Sequence, residues 1–204
     1  MGTVPLPLTL LDYGVGNIHS LKKAFESAGA SVSVETEADR ILAARALLLP
    51  GVGAFGKVAA QVAPFRAELR RKMEAGMPVF AVCIGMQLLY GSSEEGPGEG
   101  LGYFPGRVAR LRHPRLPHIG WNSVSHDGAG PFAGSPPEEH YYFVHSFAPP
   151  AGPAPCAATA DYGGRFAAAA VRNRVWGVQF HPEKSSGEGL RIVRNFVAFA
   201  GKDA

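Results

Sequence analysis

One of the two cysteines stands where a nucleophile would be useful. Cys83 ends the apolar run Pro78–Val82 and is followed by Ile84-Gly85. A strand that turns sharply into a helix beside a small residue has the layout of a nucleophile elbow. The helix start would then aim free backbone N–H groups at the sulfur, favouring thiolate over thiol. The same cysteine also reads as a small hydrophobe in an apolar segment. A nucleophile of this kind needs a base, and seven histidines compete for the role. His181 closes a second apolar run, Val175–Phe180, and precedes Pro182-Glu183. In extended backbone, residues i and i+2 project to one side, so Glu183 can hold the ring nitrogen turned away from the sulfur. Pro182 stiffens the segment. His145, within Tyr141–Phe147, is the second candidate but has no carboxylate two residues on. His19, His113, His118, His126 and His140 read as surface or turn residues.

The third chemical element is Pro50-Gly51-Val52-Gly53-Ala54-Phe55-Gly56. It spells the dinucleotide fingerprint, but it follows a third strand rather than a first and lacks the acidic strand end about 20 residues later. A glycine loop beside an elbow can instead offer an unobstructed backbone N–H to an oxyanion, with Ile84 supplying a second. Losing one such donor typically costs about 10²–10³ in rate.

Alternating strands and helices must position these residues. Leu6–Leu11, Ser31–Val34, Ala46–Leu49 and Pro78–Val82 read as strands. Ile18, Leu21, Phe25 and Ala28 recur at helical spacing, with Gly29 as a C-terminal cap. A helix is expected from Pro64 to Ala75, ended by Gly76, and another begins at Cys83. The pattern implies a parallel sheet covered on both faces, with chemistry beyond the carboxyl ends of its strands. The second half offers extended segments at Arg107–Leu111, Gly120–Ser125, Tyr141–Phe147, Arg165–Val171 and Val175–Phe180. A turn at Arg172-Asn173-Arg174 suits a hairpin between the last two. A final helix, about Glu188 to Phe199, carries Leu190, Val193, Val197 and Ala200 on one stripe. With no internal repeat or linker, residues 1–204 read as one α/β domain with antiparallel additions in its second half.

Composition narrows the function classes. Leu, Ile, Val and Phe make up 50 of 204 residues, above the roughly 20% below which chains tend to disorder. Two cysteines 73 positions apart form neither a disulfide framework nor a four-ligand zinc site, and read as reduced thiols of a cytoplasmic protein. No apolar stretch nears the roughly 18 residues of a membrane span, and no basic leader opens the chain. The net charge of +3 is mild. The basic run Arg107–Arg115 is broken by Pro114 and holds no aromatic residue for base stacking, so neither a membrane nor a nucleic acid is expected as partner.

In chain order, Pro50-Gly51-Val52-Gly53, Cys83-Ile84-Gly85-Met86-Gln87 and Gly177-Val178-Gln179-Phe180-His181-Pro182-Glu183-Lys184 resemble the class I (triad) glutamine amidotransferases, over nearly the whole length. Finer marks resemble one branch, the glutaminase subunits of imidazole glycerol phosphate synthases. These marks are Asp12-Tyr13-Gly14-Val15-Gly16-Asn17, the Val-Gly-Ala-Phe continuation after Pro50-Gly51, His118-Ile119-Gly120-Trp121-Asn122 and Tyr142-Phe143-Val144-His145-Ser146. The resemblance implies a flavodoxin-like α/β/α fold, no cofactor and no metal. It implies hydrolysis of glutamine to glutamate and ammonia through a Cys83 thioester, with His181 moving the proton and Glu183 orienting it. It assigns Val52 and Ile84 to the oxyanion and Gly53, Gln87, His145, Ser146 and Phe147 to the substrate. Asn17, Trp121, Tyr142 and Lys184 match positions towards a separate (β/α)₈-barrel cyclase subunit of histidine biosynthesis, which forms a heterodimer with the glutaminase. The valine of the glycine loop resembles relatives whose oxyanion hole is completed only in the complex. Phe147 departs from the tyrosine of many relatives and removes a hydroxyl. Cys156 matches no motif. Two other readings share parts of this constellation: a free-standing cysteine hydrolase of the same fold, and a nucleotide-binding module built on Gly51–Gly56.

Overall fold

The longest all-apolar runs become the central strands, where side chains are covered on both faces. The computed structural model describes residues 4–14, 16, 18–152 and 155–203. Its first half runs β1 (Leu6–Leu11), α1 (His19–Ser27), β2 (Ala30–Glu35), α2 (Ala38–Leu42), β3 (Leu47–Leu49), α3 (Phe55–Val62), α4 (Arg66–Glu74), β4 (Val79–Val82) and α5 (Ile84–Leu88). The second half is mostly extended: β5 (Ala109–Arg110), β6 (His118–His126), β7 (Glu138–His145), β8 (Phe147–Ala148), β9 (Cys156–Asp161), β10 (Arg165–Arg172) and β11 (Val175–Val178), closed by α6 (Ser186–Ala200).

Nine strands form one sheet in the order β2-β1-β3-β4-β11-β10-β9-β6-β7. The first five run parallel, and β10, β9, β6 and β7 add on antiparallel. Every residue of β3, β4 and β11 is buried. That is the pattern of strands sandwiched between helices. On one face α1 and α6 pack through a ring cluster in which Phe80 lies 5.3 Å from Phe25 and 5.1 Å from Phe196, centroid to centroid. On the other face α3, α4 and α5 bury Phe55, Val58, Val62, Leu69, Met73 and Met86.

Several elements differ from the sequence expectation. The helix expected from Pro64 to Ala75 is α4, which begins only at Arg66, after the 3₁₀ turn Ala63–Phe65 that contains Pro64, and the helix α3 before that turn was not anticipated. Proline lacks the N–H needed inside a helix, so it marks the junction. Helix α2 and strand β9 were not anticipated. Five residues give α2 little periodicity, and Cys156-Ala157-Ala158-Thr159-Ala160-Asp161 has no strongly apolar member. Of the Arg107–Leu111 segment, Ala109–Arg110 form the short strand β5 and Val108 makes an isolated bridge to Ser93, and Tyr141–Phe147 breaks at Ser146 between β7 and β8. The buried face of α6 is Gly189, Ile192, Val193, Phe196 and Ala200, with Leu190 and Val197 half-buried beside it. The hairpin turns as expected, with Asn173 at φ 53°.

Phe80→Ala should lower the unfolding free energy by about 3–5 kcal/mol, because the vacated ring space lies between two packed layers that cannot collapse together. A denaturant titration of the two proteins measures this directly.

Candidate active site

Cys83 sits at φ 49°, ψ −109°, the left-handed conformation of a first central turn residue that glycine ordinarily fills. Such backbone costs on the order of 1–3 kcal/mol and persists only where its surroundings over-determine it. Here the Cys83 N–H donates to Val178 O at 2.7 Å, extending the β4–β11 pairing one step beyond Val82. Gly85 presses against the end of β3 so closely that a Cβ would fall 2.4 Å from Leu49 O. Any side chain there would push α5 off the sheet. As the first residue of α5, Ile84 has an N–H without an intrahelical acceptor.

His181 follows β11, the strand beside β4, so the two residues emerge at adjoining strand ends. Its N–H donates to Tyr142 O at 2.8 Å, and Ser185 Oγ donates to its carbonyl at 2.7 Å. Extended geometry does not carry Glu183 to the ring, as the sequence reading supposed: Pro182–Lys184 is a 3₁₀ turn. The turn nevertheless places Glu183 Oε1 2.8 Å from His181 Nδ1, with the two side chains only 8% and 6% exposed. Burial opposes a charge on this imidazole, but Cys83 and Glu183 beside it outweigh that and push His181 up to about 10; its Nε2 is buried without a hydrogen-bond partner among the described residues. Its protonated form is therefore the resting one at neutral pH. Gly51 lies against both groups: a Cβ there would come 2.9 Å from His181 Cε1 and 3.0 Å from Cys83 Cβ.

These residues open on a cavity of about 370 Å³. Val52, Gly53 and Ile84 line one side of it, and Gln87, His145, Ser146 and Phe147 another. Gly53 takes φ 98°, which a side chain would resist. Gln87 Nε2 donates to Phe147 O at 2.8 Å and to Gln179 Oε1 at 3.0 Å. Its own oxygen is buried without a partner among the described residues.

His145 is not a second base for Cys83. Its Nδ1 lies 2.9 Å from Phe147 O and its Nε2 3.1 Å from His118 Nδ1. Burial lowers His145 to about 3 and His118 to about 4, so both rings are neutral near pH 7. A carbonyl only accepts, so His145 carries its proton on Nδ1 and its Nε2 accepts a hydrogen bond from the N–H at His118 Nδ1. His118, expected at the surface, is 3% exposed and stacks on Phe143 and Tyr162 at 5.0 and 4.0 Å. Sequence reasoning also missed Glu95. Its carboxylate lines the cavity and accepts from the Phe55 N–H at 2.7 Å. An acid inside the loop Ser92–Gly100 carries no periodic signal that would have singled it out.

Of the four residues expected to face a partner, three touch in series. The Trp121 and Tyr142 rings are 6.3 Å apart, and Lys184 Nζ stands 5.8 Å over Tyr142 while also lining the cavity. Trp121 is 52% exposed and Ile119, on the same side of β6, 59%. Asn17 lies outside the described residues. Among the described residues no cluster of three His, Cys, Asp or Glu is placed to hold a metal.

Comparison with known proteins agrees with this geometry. The family model "Glutamine amidotransferase class-I" matches residues 9–199. Two solved structures, a glutamine amidotransferase and PurLQS from Thermotoga maritima, share the fold at TM-scores of 0.74 and 0.70. They are 20% and 16% identical, the alignments covering 95% and 96% of this chain and 98% and 99% of theirs. The chain belongs to the class I glutamine amidotransferases. Within that family it is 41% identical to the imidazole glycerol phosphate synthase subunit HisH of Rhodopirellula baltica, over 93% of this chain and 96% of the relative. It is 44% identical to the HisH subunit of Methylococcus capsulatus, over 93% and 95%. It is therefore a member of the branch those subunits form.

Glu183→Gln removes the carboxylate that bonds His181 Nδ1 and favours the charged ring. The His181 titration, followed by NMR, should move to lower pH, and an unmoved curve would remove Glu183 from this role.

Proposed function

We propose that the chain, acting as one glutamine amidotransferase domain, hydrolyses L-glutamine at Cys83 and releases ammonia to a partner. The observation that carries this reading is the convergence of Cys83, His181 and Glu183 on one cavity from adjoining strand ends. The Cys83 thiolate attacks the side-chain amide carbon, and backbone N–H groups of Val52 and Ile84 receive the oxyanion. The His181 imidazolium gives its proton to the departing nitrogen, which leaves as ammonia. A γ-glutamyl thioester remains on Cys83. Neutral His181 then takes a proton from water, whose oxygen attacks the thioester and releases glutamate and the thiolate. Glu183 holds the ring throughout. Glu95 and the Gln87 oxygen suit the α-ammonium of glutamine, while Gly53 and His145, Ser146 and Phe147 enclose the rest.

The partner in this reading is the (β/α)₈-barrel cyclase subunit of imidazole glycerol phosphate synthase, in a cytoplasmic one-to-one complex. It would use the ammonia on a phosphoribulosyl formimino carboxamide nucleotide in histidine biosynthesis. Asn17, Trp121, Tyr142 and Lys184 are the proposed contacts. Exposed Trp121 and Ile119 beside the cavity favour a partner over a free-standing hydrolase, because water-facing aromatic and aliphatic groups gain from being covered. Val52 ties the cavity to the loop bearing Asn17, since its side chain lies where a Cβ on Gly16 would meet it at 2.5 Å.

Cys83→Ser should reduce glutamine hydrolysis to background while leaving the circular dichroism spectrum and partner binding unchanged; retained turnover would dismiss the thioester. The isolated chain should turn over glutamine slowly, and cyclase subunit with its nucleotide substrate should raise the rate by about 10²-fold or more, the scale of one oxyanion donor. Fast turnover by the chain alone would contradict completion of the site by a partner.

A further inference from the structure

Gln179 lies between β11 and His181, is fully buried and has no part in the mechanism above. Its backbone N–H is satisfied by Ala168 O at 2.8 Å. The side-chain amide spans from Gln87 Nε2, 3.0 Å from its oxygen, to Cys83 Sγ, 3.4 Å from its nitrogen. Which end of this amide meets the sulfur follows from a fixed point outside it. Phe147 O is a backbone carbonyl and can only accept, so the Gln87 atom facing it at 2.8 Å is nitrogen. The second hydrogen of that nitrogen points at Gln179, whose facing atom must then be oxygen. The sulfur therefore receives an N–H donor. A buried amide without partners would cost about 1–3 kcal/mol, so this position would be better filled by an aliphatic side chain unless both ends were used.

We propose that Gln179 is a further catalytic residue, donating a hydrogen bond to Cys83 Sγ that stabilises the thiolate both before attack and as it leaves the thioester. The inference rests on the reading of Cys83 as nucleophile. A donor to sulfur is strongest when the sulfur is anionic and weak to a thioester, so it favours the states at either end of the covalent intermediate. The amide also fixes the orientation of the Gln87 side chain through its Nε2. Other titratable groups facing the cavity are His181 and Glu183 after β11, His145 at the end of β7, Glu95 in the loop after α5, and Lys184. All stay in place when only residue 179 is changed.

The test is the pH dependence of Cys83 alkylation by iodoacetamide in the full chain, with the Cys83 peptide quantified by mass spectrometry so that Cys156 is counted apart. Gln179→Met, close in size and without a donor, should raise the apparent thiol pKa by roughly one unit. It should also lower kcat for glutamine about tenfold or more. Gln179→Glu keeps the shape, adds a like charge and should raise the thiol further; it also serves if the methionine variant does not fold. Alkylation profiles superimposable on the unmodified protein in a folded variant would overturn the proposal. Normal hydrolysis by Cys83→Ser would instead overturn the nucleophile assignment, and the alkylation profile would still report whether Gln179 donates to the sulfur.

Discussion

The parallel pairing of β4 with β11 is the constraint on which the site depends. Val82 sits opposite Val178, and the pairing runs on through the Cys83 N–H. Residues nearly a hundred positions apart leave the sheet side by side, one into a helix and one into a 3₁₀ turn. A one-residue slip in this register would turn each alternate side chain to the other face and part the thiol from the imidazole. All eight residues of β4 and β11 are buried, so the register is held by side-chain size: a slip would bring a side chain to the place of Gly177, where a Cβ would fall 2.7 Å from Met86 Cγ. The geometry of the chemistry is thus set by packing.

Around the pair, protons are placed by groups that have no choice of role. The Phe147 carbonyl accepts from His145 and from Gln87, and this decides the His145 tautomer, the His118 tautomer and the orientation of two amides. Asn122 Nδ2, 3.4 Å from His118 Nε2, continues the sequence along β6 and donates to Asp161 O at 2.9 Å. Low local polarity strengthens each bond and penalises a break, so the array behaves as one unit.

The sheet and the meeting of Cys83, His181 and Glu183 at its strand ends were legible because both leave local marks. Apolar runs ended by Pro-Gly or by Cys-x-Gly announce strand ends, and strand ends are where open parallel sheets do chemistry. The supporting groups were not legible, because their roles arise from contacts between distant segments. His118 looks polar in sequence and is buried only because Phe143 and Tyr162 close over it. Glu95 belongs to a loop with no periodicity. The reach of Glu183 was foreseen for the wrong local geometry: a 3₁₀ turn, which needs Pro182 at its start, does what an extended strand was expected to do. Helix α3 was not legible because its eight residues carry no capping side chain and no acidic first turn to mark a start, although Phe55, Val58, Ala59 and Val62 form its buried face.

The elbow at residue 83 sets durability against usefulness. Left-handed backbone suits glycine, and a glycine there would relieve strain on the order of 1–3 kcal/mol against about 0.4–1 kcal/mol lost to the freer unfolded chain. Under the proposed mechanism the same change would remove the nucleophile, and it would also empty the core space that the buried Cys83 side chain fills. Engineering for heat resistance that ranks positions by backbone fit alone would be drawn to this Cα, as to Asn173 and Ser186, and would trade away the proposed chemistry there.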